Sequence, residues 1–213
     1  MEPYYERDGI TIYHGDCREI MPELPAVDLL LTDPPYGINY KGCNASKSKG
    51  LGVMHDGIQG DAELMDLRFI LEYPSSVVSF GANNYPEQLP HRGRWICWDK
   101  RLTVAADRML GSAFEMAWRN CKSGFDKMIR ILHGGVVNAD GTGKRVHPTQ
   151  KPIELMSRVL DMYPNANTIL DPFMGSGTTL VAAKLEGRQA IGIELEERYC
   201  EIAAKRLAQG VLF

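Results

Sequence analysis

The residues with the clearest chemical potential follow an apolar run near the start of the chain, in the stretch LLLTDPPYGINY (residues 29–40). Asp33 offers a carboxylate that accepts hydrogen bonds, and the carbonyl of Pro34 offers a second acceptor. Because Pro34 and Pro35 restrict the backbone and have no N–H, this segment presents acceptors without a competing donor. Tyr36 adds an aromatic face for stacking. Taken alone, the four residues could also form an acidic turn after a strand.

A second group of residues, in LDPFMGSGTTLVAAKLEGRQAIGIEL (170–195), has the spacing of a nucleotide-binding turn. Gly175 and Gly177 stand between a predicted strand and a predicted helix, where the backbone can approach a ligand closely. Glu194 ends the next strand, 19 residues after Gly175, where an acidic group reaches ribose hydroxyls in such folds. Leu180 replaces the third glycine of the dinucleotide fingerprint, so a nucleoside cofactor without a pyrophosphate fits better than a dinucleotide. A tight turn alone is the alternative.

Strands and helices alternate around these two groups. Strands are predicted at 10–14, 27–33, 76–80, 94–100, 112–120, 168–171 and 189–195, and helices at 64–73, 151–163, 178–187 and 196–210, with Pro152 in the first turn of its helix. The continuous apolar run 27–31 is typical of a parallel strand covered on both faces. A glycine- and serine-rich loop is predicted at 37–61, and 121–152 is predicted as loops with one short strand. This order predicts a doubly wound, mostly parallel α/β sheet.

The size and composition are those of a single globular domain. The chain has 213 residues, of which 44% are hydrophobic and 24% charged. The sequence contains no membrane-length apolar stretch and no signal peptide, which predicts a cytoplasmic protein. Five scattered cysteines without a Cys-x-x-Cys pair predict neither disulfides nor a zinc site, and we expect no metal.

Basic residues concentrate in the middle of the chain. The formal net charge is −3, yet residues 91–151 contain 12 Lys or Arg against 5 Asp or Glu. Such a segment in an otherwise acidic chain indicates a surface that faces a polyanion. Chance clustering of charge on a solvated face is the alternative.

Together the motifs identify a family resemblance. DPFMGSGTT, with IGIEL downstream, HPTQKPIEL just before it and TDPPYG far upstream, resembles the exocyclic-amino DNA methyltransferases that use S-adenosylmethionine. The order, with the catalytic motif ahead of the cofactor motif, is similar to the circularly permuted beta subgroup. The resemblance covers residues 10–207 and implies a Rossmann-like methyltransferase domain over 1–213, with a catalytic half (1–120), a short target-recognition segment (121–146) and a cofactor-binding half (147–213).

The resemblance implies a set of cofactor-binding residues. The methionine and ribose side would be lined by Asp171, Phe173, Gly175, Ser176, Gly177 and Thr178. Glu194 would accept both ribose hydroxyls, and Lys151 would meet the cofactor's carboxylate. Asp16 and Cys17 would lie against its adenine. The alternatives are a solvated surface lysine for Lys151 and a turn or N-cap residue for Asp16.

The same resemblance implies methyl transfer to a base amino group. Such an amine is a poor nucleophile because its lone pair is delocalised into the ring. Asp33 and the carbonyl of Pro34 would accept its two hydrogens, while Tyr36 would stack on a base swung out of the duplex. Asp33 stands at the first position of the DPPY motif, as in the adenine-N6 enzymes that this chain resembles more than the cytosine-N4 enzymes. The alternatives are a cytosine-N4 or RNA-directed enzyme, a non-catalytic cofactor-binding partner subunit and, least compatible with Leu180, a dinucleotide-dependent oxidoreductase.

Few residues are available for target recognition, because the segment between Asn120 and His147 is short. We expect two loops, 41–61 and 122–145, to contact DNA. The basic residues assigned to DNA phosphates are Lys47, Lys49, Lys122, Lys127, Arg130, Lys144 and Arg145. A short target sequence and pairing of two subunits into a homodimer are both compatible with this arrangement. Trp95, Trp98 and Trp118 are predicted to pack in the core rather than to stack on bases.

Overall fold

The structure is a computed structural model that describes residues 1–37, 62–101, 112–121, 124–131 and 150–209. The strands are β1 (Tyr5–Arg7), β2 (Ile10–His14), β3 (Leu29–Thr32), β4 (Ser76–Phe80), β5 (Arg94–Asp99), β6 (Phe114–Arg119), β7 (Lys127–Arg130), β8 (Thr168–Asp171) and β9 (Gln189–Glu194). The helices are α1 (Cys17–Ile20), α2 (Arg68–Leu71), α3 (Ile153–Leu160), α4 (Thr178–Leu185) and α5 (Glu197–Ala208). Single 3₁₀ turns cover Met21–Glu23, Ala82–Asn84 and Pro86–Gln88.

The strands form one sheet in the order β1-β2-β9-β8-β3-β4-β6-β5-β7. Strands β2, β9, β8, β3 and β4 run parallel to one another, while β1 and β6 are antiparallel to their neighbours. Strand β5 is antiparallel to β6 and parallel to β7. The prediction of a doubly wound, mostly parallel α/β sheet is therefore confirmed. The carboxyl ends of β2, β3, β4, β5, β7, β8 and β9 all reach the same edge, where such sheets bind ligands.

The sheet is covered on both faces, and strand β3 shows how the sequence encodes this. Successive side chains of a strand point to opposite faces. Leu29 and Leu31 belong to one buried cluster, with α3, α4 and α5, whereas Leu30 belongs to the other, with α1 and α2. All three leucines are fully buried. Burial on both faces explains why this strand is a continuous apolar run instead of an alternating one.

Local patterns located most elements, with a few differences. Strand β1 and helix α1 were not predicted, and α2 has four residues where a longer helix was expected. Pro152 is the N-cap of α3, so the helix begins at the next residue and not with the proline in its first turn. One short strand, β7, does lie within 121–152. Most of the predicted loop 37–61 lies outside the described residues. Within the described ranges, no helix is long and apolar enough to cross a membrane.

Trp98 and Trp118 pack in the core, as predicted, with exposed fractions of 1% and 3%. Trp95 is half-buried beside the second cluster. The thiols of Cys17 and Cys200 are buried, and those of Cys97 and Cys121 are partly buried. Trp98 and Trp118 therefore serve packing.

Candidate active site

The two motifs meet at the carboxyl edge of the sheet because strand β3 pairs directly with strand β8. Asp33 follows the last residue of β3, and Asp171 ends β8. The hydroxyl of Thr32 donates a buried hydrogen bond of 2.7 Å to Asp171 Oδ1, across 139 residues of sequence. This bond ties the strand that delivers Asp33 to the strand that delivers the glycine turn. The acceptor segment (residues 33–36) and the glycine turn that contains Gly175 and Gly177 therefore share one site.

Asp33 is held by two donors. The Tyr36 hydroxyl donates to Oδ1, and the Lys151 ammonium donates to Oδ2. The side chains of Asp33 and Lys151 are 17% and 7% exposed. Burial raises the pKa of Asp33, and the positive charge of Lys151 and the bond from Tyr36 partly offset this. Pro34 is buried beside it.

Lys151 is not the solvated surface lysine considered above. Its ammonium lies between Asp33 and Glu115, whose Oε2 is 3.3 Å away, and 5.7 Å from the centre of the Phe80 ring. Glu115 on β6 also accepts a hydrogen bond from the ammonium of Lys100. Burial alone would raise the pKa of Glu115, but Lys151 and Lys100 outweigh it and hold this pKa at about 2. Glu115 is therefore ionised at neutral pH.

Glu115 and Lys100 were missed by the sequence analysis. Their only signal was the presence of charged residues in two strands with alternate aromatics, FEMAWR and RWICWD followed by a lysine. Nothing in that pattern indicates that the two charges reach a lysine before α3 and an aspartate after β3. The contact of Lys151 with Asp33 was also not predicted. The role of Lys151 at the cofactor's carboxylate stays a prediction.

Tyr36 fits into a space that Gly81 leaves open. A Cβ at Gly81 would lie 1.8 Å from Tyr36 Cε1. Gly81 also has a φ of +67°, which disfavours other residues. The turn after β4 thus positions the tyrosine of the acceptor segment. The hydroxyl bond to Asp33 is an addition to the stacking role that the sequence predicted.

The glycine turn closes around the carboxylate of Glu194. The amide of Gly175 donates to Oε2 at 2.9 Å, and the amide of Glu196 donates to Oε1 at 2.8 Å. Burial raises the pKa of Glu194 to about 7 in spite of these two bonds. The residues predicted from a 19-residue spacing are therefore in direct contact.

Several predicted lining residues use their side chains to build this turn. Arg206 on α5 donates to the carbonyl and hydroxyl oxygens of Ser176, at 2.6 and 3.1 Å, and to the hydroxyl of Thr178 at 3.4 Å. Asp171 accepts from the amide of Phe173 at 3.2 Å, and burial raises its pKa to about 6. Gly177 is the N-cap of α4, with a φ of +78°. Arg206 is a supporting residue that sequence reasoning did not identify.

Asp16 and Cys17 lie at the same edge, beside Glu194. Strand β2 pairs with β9, and the amide of Gly15 donates to the Glu194 carbonyl at 2.9 Å. Asp16 is the N-cap of α1, where its side chain accepts from the amide and guanidinium of Arg18, and these bonds lower its pKa. The N-cap alternative is thus confirmed, while contact with an adenine stays a prediction.

Two of the predicted DNA-binding residues lie in the described ranges. Lys127 and Arg130 are exposed on the edge strand β7, and Arg130 Nε is 3.5 Å from Asp99 Oδ2. Because β7 runs in the same direction as β3 and β4, Arg130 is at the carboxyl edge that also carries Asp33. The other five, Lys47, Lys49, Lys122, Lys144 and Arg145, lie outside the described residues.

Comparison with known proteins adds independent findings. The sequence profile of a family described as DNA methylase matches residues 117–205. A putative methylase of Escherichia coli K12, YubD, is 30% identical over 207 residues, which cover 91% of this chain and 88% of that protein. The crystal structure of the M1.HpyAVI complex with S-adenosylmethionine is similar with a TM-score of 0.58 at 25% identity, over 93% of this chain and 99% of that one.

A third likeness concerns the fold alone. The PvuII DNA methyltransferase, described as cytosine-N4-specific, has a TM-score of 0.63 at 15% sequence identity, covering 100% of this chain and 91% of that chain. At this identity the likeness carries no information about which base is modified. It does place the doubly wound sheet described above among Rossmann-like methyltransferase folds.

Proposed function

Since this chain belongs to the DNA methylase family of N6/N4 amino-group methyltransferases, we propose that it methylates the exocyclic N6 of adenine in DNA, with S-adenosylmethionine as donor. The observation that carries this proposal is the junction of β3 and β8. There, the half-buried carboxylate of Asp33, in an acceptor-only segment, adjoins a glycine turn closed on an acidic residue. Chemistry between a nucleoside cofactor and an amino group needs these two parts side by side.

The residues around the glycine turn fit such a cofactor. Each oxygen of the Glu194 carboxylate accepts one amide hydrogen, and an ionised carboxylate can accept about four hydrogen bonds. Two ribose hydroxyls would add donors to a carboxylate that burial otherwise disfavours. Gly175 and Gly177 give the turn its left-handed backbone. When bound, S-adenosylmethionine supplies an electrophilic methyl group on a sulfonium. We assign Phe173 and the turn to its methionine and ribose side, and Asp16 and Cys17 to its adenine.

The acceptor segment would prepare the target amine. Asp33 would accept one hydrogen of the NH₂ group and the carbonyl of Pro34 the other, which favours a pyramidal nitrogen with an available lone pair. Pro34 and Pro35 contribute no N–H that would compete. Tyr36 would stack on the flipped base while its hydroxyl orients Asp33. Rate enhancement would come from positioning and charge complementarity.

Adenine is favoured over cytosine because an aspartate stands first in the acceptor segment. The alternative, N4 of cytosine, asks for the same two acceptors. Incubation of the protein with S-adenosylmethionine and either unmethylated DNA or, in a parallel reaction, unmethylated RNA, followed by digestion to nucleosides and mass analysis, distinguishes them. We expect N6-methyldeoxyadenosine. N4-methyldeoxycytidine would contradict the choice of base while leaving the amino-group chemistry intact, and methylation of RNA alone would contradict the choice of DNA.

We also infer the permuted order of motifs and a single domain over residues 1–213, because the strand of Asp33 precedes the strand of the glycine turn in the chain and both join one sheet. Lys127 and Arg130, with the five basic residues outside the described ranges, would hold DNA phosphates. A homodimer would widen the contact with DNA, and sedimentation with and without DNA tests it.

Asp33→Ala tests the catalytic assignment. The substitution removes the carboxylate acceptor but leaves the glycine turn, so we expect methyl transfer to fall by about 10²–10³ while the cofactor Kd changes by less than about threefold. Asp161→Ala, at an exposed aspartate after α3, is the matched control and should change neither quantity. If the wild-type chain bound cofactor and DNA but methylated nothing, the non-catalytic partner subunit would be the better description.

A further inference from the structure

Four charged side chains of alternating sign form a continuous series of contacts that ends at Asp33 in the acceptor segment. Lys100 pairs with Glu115, Glu115 lies beside Lys151, and Lys151 pairs with Asp33. Lys100 follows β5, Glu115 lies on β6, Lys151 precedes α3 and Asp33 follows β3. Because buried charges are costly unless they are paired, this arrangement constrains all four groups together.

The ammonium of Lys151 is the centre of this chain of charges. Its side chain is 7% exposed, and it contacts one carboxylate on each side. Glu115 is itself fixed by the second lysine, Lys100, whose ammonium also lies 4.9 Å from the centre of the Trp98 ring. Glu115 is therefore an anchored acceptor that holds Lys151 in place against Asp33.

Lys151 and Tyr36 favour the ionised form of Asp33, whereas its other surroundings oppose ionisation. Burial favours the neutral carboxyl, and the negative charge of Glu115 on β6 acts in the same direction. The charge of Asp33 in turn helps to raise the pKa of Asp171 on β8. Tyr36 donates from the same segment, and Tyr85, after the first 3₁₀ turn that follows β4, faces the same charge. A protonated Asp33 would offer a donor on one oxygen and would no longer accept freely from an amine.

We propose that Lys151, anchored by Glu115, is a positioning residue that keeps the Asp33 carboxylate ionised and oriented toward the target amine. This inference rests on the proposed function, because it assigns a purpose to the catalytic role of Asp33. It also gives Lys151 a partner other than the cofactor's carboxylate. In this arrangement Lys151 and Tyr36 each occupy one oxygen of Asp33 and fix the plane of the carboxylate.

The pH dependence of single-turnover methyl transfer tests the inference, at saturating cofactor and DNA between about pH 5 and 9. On the acidic side of the pH–rate profile, activity should fall as Asp33 becomes protonated; we call this the acidic limb. Lys151→Met removes the charge that favours ionised Asp33, so the acidic limb should move to higher pH by about one pH unit or more. Glu115→Gln keeps a side-chain oxygen that can accept from Lys151 but removes a negative charge that opposes the ionisation of Asp33, so the limb should move downward. Lys151→Arg retains the charge and should leave the limb near that of the wild type.

Two control variants match these substitutions at an exposed pair. Lys205→Met and Glu201→Gln alter an i,i+4 ion pair on α5 whose side chains are 67% and 58% exposed, and neither should move the limb. If Lys151→Met does not fold, the opposite prediction for Glu115→Gln still tests the inference. Activity that falls equally at all pH values in both variants would overturn it, because a merely structural role has that effect.

Calorimetric titration with S-adenosylmethionine separates the two possible partners of Lys151. If Asp33 is the partner that matters, the cofactor Kd of Lys151→Met stays within about threefold of the wild-type value. A Kd weakened by about 30-fold or more, with an unmoved acidic limb, would assign Lys151 to the cofactor's carboxylate and contradict our inference.

Thermal unfolding of the cofactor-free protein tests the pair without any activity. We expect Lys151→Met to lower Tm more at pH 8 than at pH 5, because it leaves the half-buried Asp33 carboxylate without its counterion, and a second substitution, Asp33→Asn, to restore part of the loss. Absence of this coupling would overturn the inference whatever the function. Coupling in a chain that methylates no substrate would instead contradict the proposed function.

Discussion

The carboxylate of Glu194 shows how a single residue balances folding against ligand binding. Burial disfavours its charge and raises its pKa from 4.5 to about 7, while the amides of Gly175 and Glu196 act in the opposite direction. Since the pKa is higher in the folded state, the contribution of this group to stability is greatest below about pH 4.5 and is lost as the pH rises toward 7. Hydroxyl donors from a ligand would relieve this cost.

Cofactor binding should therefore depend on pH through Glu194. An ionised carboxylate accepts ribose hydroxyls, and proton loss must accompany binding below the pKa of the free protein. We expect the Kd for S-adenosylmethionine to weaken toward tenfold per pH unit below about pH 7, as measured by calorimetry between pH 5.5 and 8.5. Glu194→Gln should bind weakly and without this pH dependence, whereas Glu201→Gln should behave as the wild type. A wild-type Kd that is constant over this range would contradict the assignment.

At the scale of elements, the turn after β4 determines where the acceptor segment lies. Gly81 combines a left-handed backbone with a space filled by the Tyr36 ring. Gly81, directly after β4, thus leaves room for Tyr36, which lies in the segment that follows the neighbouring strand β3. Position and conformation of Tyr36 depend on an element about 45 residues away along the chain, so the DPPY motif alone does not specify them.

Gly81→Ala should displace the tyrosine. A methyl group would occupy the position of the Tyr36 ring, so we expect methyl transfer to fall by about tenfold or more, because misplacement of about 1 Å near the reacting groups costs up to about 10²-fold, with the cofactor Kd unchanged. Gly187→Ala is the matched control, since Gly187 has a similar φ of +69° but nothing within 4 Å of an added Cβ. Both variants carry the backbone strain, and only Gly81→Ala carries the clash. Equal activity of the two variants would show that Tyr36 does not need this space.

At the scale of the whole molecule, charge is distributed across the sheet. The described part of the basic middle of the chain includes β5, β6 and β7, which extend the parallel sheet on the side of β4. Lys100 and Lys151 pair with the half-buried carboxylates of Glu115 and Asp33, while Lys127 and Arg130 are exposed on the edge strand. The basic residues counted in the sequence therefore include both lysines in internal ion pairs, Lys100 and Lys151, and residues that face solvent, Lys127 and Arg130.

Charge reversal on β7 should weaken DNA binding. Because phosphate contacts release counterions, Lys127→Glu with Arg130→Glu should lower DNA affinity by tenfold or more at low salt and reduce the slope of log K against log salt by about 2. Fluorescence anisotropy over a salt series measures both, and cofactor binding should not change. A double reversal at exposed residues of α3 and α5, Arg158→Glu with Lys205→Glu, carries the same charge change. If both double variants lost affinity equally, net charge and not β7 would explain the effect.

The sequence by itself determined the strands β2, β3, β4, β5, β6, β8 and β9, the glycine turn and the acceptor segment. Their signals are local: hydrophobic periodicity, glycine placement and the lack of donors in consecutive prolines depend on neighbouring residues. The short strand β1 and helix α1 escaped because so few residues carry little pattern. The N-cap role of Asp16 was foreseen only as an alternative.

Only the tertiary structure decided which charges meet. Lys151 reaches Asp33 across 118 residues and Thr32 reaches Asp171 across 139, because the order of strands in the sheet brings these segments together. Neither Glu115 nor Gly81 belongs to a motif, and each matters through the neighbour that β6 or β4 places beside it. Pairing of buried charges and steric fit depend on distances in space, which residues spaced far apart in the chain do not reveal.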